Sequence, residues 1–228
     1  RAIEYLPDEE ELSARMANRE GLTRPELAVL LAYAKITLYD DLLASDLPDD
    51  PFMADDLTRY FPKPLRKAHA EAVGRHRLRR EIIATSVTNS LVNRTGPTFV
   101  KEMMEKTGMG PADVARGYAI VRDSFGLRSL WTGIEDLDNV VPATLQTSMI
   151  LETVHLMERA VAWFLTSCPQ PLDIAAETEA FRPGIEALMG GLDAFLDAEE
   201  AGRLAARVGG YVEQGVPAEL ACRMAALP

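Results

Sequence analysis

Apolar residues in this chain recur at spacings of three and four, and β-branched residues nowhere alternate for more than about four positions. The pattern predicts an all-α protein, a multi-helix bundle with no sheet. Thr23-Arg24-Pro25-Glu26 reads as a helix start, with a capping hydroxyl, a proline in the first turn and a carboxylate placed for a capping box. Leu27, Leu31, Ala34, Leu38 and Leu42 then form one stripe ending near Ser45. The prolines at 48 and 51 mark a loop, a short helix follows over 54–60, and Phe61-Pro62-Lys63-Pro64 is a second break. A periodic stretch runs from Leu65 to about Asn93. Gly96-Pro97, Gly108-Met109-Gly110-Pro111 and Gly126 punctuate the next helices. The longest stripe, opened by Val141-Pro142, is apolar on two faces through Leu165, which predicts a central position in the bundle. Helices over 174–190, with a proline step at Arg182-Pro183, and over 192–208 complete the reading. Clustered prolines near 168–172 divide a helical core, 1–168, from an acidic helical extension, 169–228, a second small subdomain.

At 228 residues the chain suffices for one large domain or two small ones. Its ends read as those of a piece of a longer polypeptide: no Met opens it, Arg1-Ala2-Ile3-Glu4 lacks the features of a leader, and the helix begun at Pro217 has barely run when Leu227-Pro228 stops it. Cys168 and Cys222 have no CxxC partner, which fits a reducing cytoplasm and disfavours a thiolate metal site. Three histidines without an HExxH motif leave a metal centre almost nothing to be built from. No apolar run reaches the ~18–20 residues that span a bilayer, so no membrane partner is expected.

The net charge of −11 is segregated, because residues 61–128 carry 13 basic and 6 acidic side chains between two acidic flanks. Nucleic acid is not expected as a partner: the basic segment lacks interleaved aromatics, and the chain as a whole repels phosphate at long range. The glycine pairs follow helical stretches and form neither GxGxxG nor a P-loop, and no GxSxG is present. Asp40-Asp41, Asp49-Asp50 and Asp55-Asp56 read as caps or solvated charge. Glu135, Asp136, Asp138 and Asn139 do not match a calcium loop, and Cys168 reads as a buried thiol. No catalytic, cofactor-binding or metal-ligating residue is assigned.

One segment remains, His76 to Gly96, HRLRREIIATSVTNSLVNRTG. Ile83, Val87 and Leu91 make an apolar stripe beside short polar residues that permit close helix approach. Arg79, Arg80 and Arg94 are candidates for an anion or effector site or for interdomain contacts, most simply by holding carboxylates of the acidic flanks.

Gly21 to Lys35, the spacing from Tyr60-Phe61-Pro62 to His76–Thr85, and Asn89 to Thr98 with its Val92-Asn93-Arg94-Thr95-Gly96-Pro97 run resemble the large bacterial NAD-specific glutamate dehydrogenases. The resemblance covers most of residues 1–168 and is looser beyond, carried there by Gly215 to Ala221. It implies a place in the helical C-terminal region of a very long polypeptide that oxidatively deaminates L-glutamate to 2-oxoglutarate and ammonia while reducing NAD. It also implies that the catalytic residues and the NAD site lie upstream, that the upstream catalytic domain is a partner, and that the enzyme is a cytoplasmic homo-oligomer. This stretch then acts as scaffold or interaction module, or alternatively senses a ligand through its arginines.

Overall fold

The structure, a computed structural model, describes residues 6–227; the Arg1–Glu4 opening and the closing Pro228 lie outside them. Among the described residues there are 13 α-helices and no strand, in agreement with the all-α reading. The chain forms two compact units, 1–99 and 100–228.

In the first unit, α1 (Glu9–Ala17) is capped by Asp8, whose side chain accepts from the Glu11 N–H at 2.9 Å. The capping box expected of Thr23 and Glu26 is present and starts α2 (Arg24–Ala44). The proline segment 46–53 is two 3-10 turns, which bury Leu47, Pro48 and Met53. After α3 (Ala54–Tyr60) the stretch expected to run unbroken from Leu65 is cut into α4 (Lys63–Ala68), α5 (Ala70–Gly74) and α6 (Arg79–Thr95). Arg66 donates to the carbonyls of Phe61 and Arg59 and so ties α4 back to the end of α3. His69 leaves helical geometry, at φ −135° and ψ 36°. Gly74 then ends α5, in a sequence where Arg75 and Arg79 would repel one another across a continuous helical turn. Helix α6 is the hub: α2 and α3 pack on it, and Ile83, Ala84, Val87, Thr88, Leu91 and Val92 are buried at helical spacing.

The second unit opens with α7 (Phe99–Thr107), of which all but Phe99 lies within it. It continues through α8 (Pro111–Ser124), α9 (Leu127–Glu135), α10 (Ala143–Ser167), α11 (Ile174–Gly190), α12 (Ala198–Glu213) and α13 (Ala218–Ala225). Its centre is α8, not α10: every residue from Val114 to Arg122 is buried, and α9, α10 and α11 pack around it. Helix α10 buries Met149, Leu156, Met157, Val161 and Leu165 on one side and leaves Leu151 and Trp163 exposed. The small residues of α8 decide this. A Cβ on Gly117 would sit 3.2 Å from Val161 Cγ1 and 3.7 Å from Leu165 Cγ, so α10 approaches closer than a larger residue allows. Gly126 joins α8 to α9 in the left-handed region, at φ 60°. The proline cluster read as the junction of 1–168 with 169–228 lies inside this unit, because α11 packs on α8. Helix α11 also runs through Pro183, which is exposed, so water can satisfy the carbonyl that the ring deprives of its partner.

A Gly117→Val substitution drives two methyl groups into the α8–α10 contact. The expected cost is about 1–3 kcal/mol, read as a lower urea midpoint at an unchanged denaturant slope.

Candidate functional site

The three arginines singled out by sequence all lie on α6, but they do not converge. Arg79 and Arg80 stand in its first turn and Arg94 in its last. At ~1.5 Å of rise per residue, Arg80 and Arg94 are about 21 Å apart along the axis. No single small anion can touch both.

Arg80 is engaged through both of its terminal nitrogens. Its Nη1 donates to the Asp49 carboxylate in a close ion pair, and its Nη2 donates to the carbonyl oxygens of Leu43 at 2.9 Å and Ser45 at 3.0 Å. Those carbonyls are at the C-terminal end of α2, where helix geometry leaves acceptors without partners. A guanidinium there satisfies them and complements the negative end of the helix dipole. Asp49 comes from the acidic flank, in the first 3-10 turn. Its neighbour Asp50 instead caps the next turn, accepting from the Phe52 N–H at 2.9 Å. Arg80 is thus the clasp that closes α2 and the 3-10 segment onto α6. Arg79 is half-buried with an Nε that has no hydrogen-bond partner. Arg94 is half-buried and engaged by an interaction of its own.

Beside the clasp, α2 and α6 border a groove of about 430 Å³ lined by Lys35, Ile36, Tyr39, Asp40, Thr85, Thr88 and Asn89. The other end of α2 is locked by charge. Glu26 Oε2 accepts from the Thr23 N–H at 2.6 Å and from Arg15 Nη1 at 2.8 Å. The Arg15 hydrogen bond, followed by that of the Thr23 amide, holds the Glu26 carboxyl below its ordinary value. Glu26 and, next, Glu11 raise the Arg15 guanidinium in return.

Sequence reasoning missed the polar chain inside the second unit. Arg122, 1% exposed, donates to Asp123 at 2.7 and 3.2 Å and lies 5.8 Å from the centroid of the Tyr118 ring. Asp123 also accepts from Arg128 Nε at 3.3 Å. Tyr118 stacks on Trp131, whose indole N–H donates to Thr153 Oγ1 at 3.0 Å. A charged residue inside an otherwise apolar and small-residue helix gives no periodic signal of its burial. Burial, and next the Glu177 carboxylate, push the Cys168 thiol up, away from reactive thiolate. Among the described residues no group of three or more His, Cys, Asp or Glu side chains could hold a metal ion, and no helix is long and apolar enough to cross a membrane.

A family model described as "Glutamate dehydrogenase, C-terminal" matches residues 19–228. The chain is 44% identical over 226 residues to an NAD-specific glutamate dehydrogenase of Pseudomonas aeruginosa and 42% identical over 226 residues to one of Halomonas elongata. It is 35% identical over 224 residues to one of Mycobacterium tuberculosis. The alignments cover 98–99% of this chain but only 14% of each relative's length.

Two outcomes follow from this geometry. Arg80→Ala frees the α2 carbonyls and strands Asp49, and it is expected to cost about 1–2 kcal/mol in urea denaturation for so accessible a site. Arg80→Lys recovers only part of that, since one ammonium cannot span the carboxylate and both carbonyls. Glu26 has a depressed folded pKa, so its contribution is complete above the unfolded value and is lost as pH falls through the folded one. Glu26→Gln is therefore expected to flatten the acid-side decline of stability in that window, measured by melts across pH.

Proposed function

The chain belongs to the glutamate dehydrogenase C-terminal family, and from that premise we propose that it is a helical scaffold and interaction module of a long NAD-dependent glutamate dehydrogenase. The whole enzyme would oxidatively deaminate L-glutamate to 2-oxoglutarate and ammonia with reduction of NAD. Its NAD site and catalytic residues would lie outside residues 1–228, its setting would be the cytoplasm, and it would assemble as a homo-oligomer. The two free cysteines suit a reducing compartment.

The observation that carries the scaffold reading is the engagement of Arg80. The best-placed cation for an anionic substrate or effector spends its donors on Asp49 and on two main-chain carbonyls, which is a structural use. Arg122 follows the same economy in the second unit, buried on Asp123. A second reading, ligand sensing, draws its support from Arg79 alone, with its unpartnered Nε.

The two readings separate in the full-length enzyme. Arg80→Ala is expected to lower the thermal midpoint while leaving the KM values for NAD and L-glutamate within about twofold, a ΔΔG near 0.4 kcal/mol. Arg79→Ala is expected to change neither. An Arg79→Ala enzyme of unchanged stability that lost response to a substrate or effector would establish the sensing reading instead.

A further inference from the structure

From Leu27 to Ala34, α2 carries no polar residue on any side except the Tyr33 hydroxyl. A helix apolar all round belongs in an interior. Yet only Leu38 and Leu42 of α2 are buried, both in its C-terminal half on the side facing α6. Leu27 remains 46% exposed and Ile36 55%, and Ala28 and Ala32 are exposed as well. Ala28, Ala32 and Ile36 share one face by their spacing of four, with Val29 beside them. Fraying does not explain the exposure, since the capping box and the Arg15–Glu26 ion pair fix the N-terminal end.

The groove supplies an independent sign. Ile36 passes directly from the apolar face into it. On its floor Thr88 is 3% exposed, and its hydroxyl has no hydrogen-bond partner. Thr58, Thr85 and Thr95 each return the hydroxyl to the carbonyl four residues back, as helical threonines ordinarily do. Ser124 and Thr178 also have buried hydroxyls without partners, but neither lines this groove. A buried donor left unmade is costly. Lys35 and Asn89 on the same groove likewise have no side-chain partner among the described residues.

We infer that this face of α2, with the adjoining α2–α6 groove, docks a helix from the part of the same polypeptide outside residues 1–228. The docked helix lays an apolar ridge across Ala28, Ala32 and Ile36 and brings polar partners to Lys35 and Asn89 at the rim of the groove. The inference rests on the reading of this chain as a module of a longer enzyme, whose relatives it matches over only 14% of their length. Size argues against a second copy as the occupant. Nine residues of helix present about 13 Å of ridge, too little to approach the ~800 Å² per partner of a specific stable interface. Within one polypeptide a smaller contact suffices, because the association is intramolecular.

The test uses the full-length enzyme with Cys168, Cys222 and every cysteine outside residues 1–228 replaced by alanine or serine, and with single Ile36→Cys or Ala32→Cys substitutions. Maleimide labelling is timed under native conditions and in urea. Leu78→Cys serves as the control, being equally exposed here at 51%. Both α2 positions are expected to label at least tenfold more slowly in the native enzyme than in urea, at a rate independent of protein concentration. Native labelling as fast as in urea at both positions overturns the proposal. Protection that disappears on dilution overturns it in favour of a second copy. Glutamate-dependent NAD reduction is assayed on the same samples: its absence would sink the functional reading, while the labelling still reports whether the face is covered.

Discussion

Helix α8 has no face in solvent from Val114 to Arg122, and the packing of residues 100–228 answers to that burial. A helix can be surrounded only if its neighbours come close on several sides, which Ala115, Gly117 and Ala119 permit. Once surrounded, Arg122 must be neutralised in place, because an uncompensated guanidinium in a low-dielectric interior costs several kcal/mol, of order 3–5 when its partner is lost. Asp123 and the Tyr118 ring meet that demand, and Tyr118 in turn stacks on Trp131, whose indole N–H is held by Thr153 of α10. The polar chain and the close packing are therefore one requirement, not two.

In residues 1–99 the equivalent element is α6, and the demand there falls at a helix end. The last carbonyls of α2 would be left without donors beside a buried Leu42. Arg80 supplies those donors from α6 and fixes where the 3-10 segment leaves α2, since Asp49 is held by the same guanidinium. One side chain thus sets both a helix terminus and the direction of the chain after it. The arrangement uses the planar fork of arginine, which can split its donors between a carboxylate and two carbonyls.

How much of this the sequence revealed depends on the range of the interaction. The capping box at Thr23 and Glu26, the helix stops at Gly96 and Gly126, and the absence of sheet among the described residues are local consequences of residue type and spacing. That Arg80 would seek an acidic-flank carboxylate was also readable, from charge alone. The identity of Asp49 was not, because Asp49 and Asp50 look alike in sequence and only the turn geometry gives one to Arg80 and the other to Phe52. The central role of α8 was hidden for a related reason. Three of its buried positions, Ala115, Gly117 and Ala119, are small and two arginines interrupt the apolar ones, whereas α10 shows more apolar surface than its neighbours cover. Apolar periodicity measures what a helix offers, and the small residues of a partner decide how much of it is taken. The same gap made three arginines on one helix look like a cluster, although ~1.5 Å per residue carries Arg94 to the far end.

The exposed half of α2 is then informative for what it does not contain. With 26% of its residues charged, the chain has ample means to cover a helix face. It does so on α12, where Glu199 pairs with Arg203 four residues on, and on α7, where Lys101 pairs with Glu105. Scattered exposed apolar side chains are ordinary on protein surfaces. A rigid, doubly anchored helix whose exposed turns lack charge on every side is a different object, because even one lysine or glutamate between Leu27 and Ala34 would have made it a surface helix. Placed beside a groove whose Lys35 and Asn89 have no side-chain partner among the described residues, that face has the chemistry of an interface: apolar at its centre, with unmet hydrogen-bonding groups along one edge.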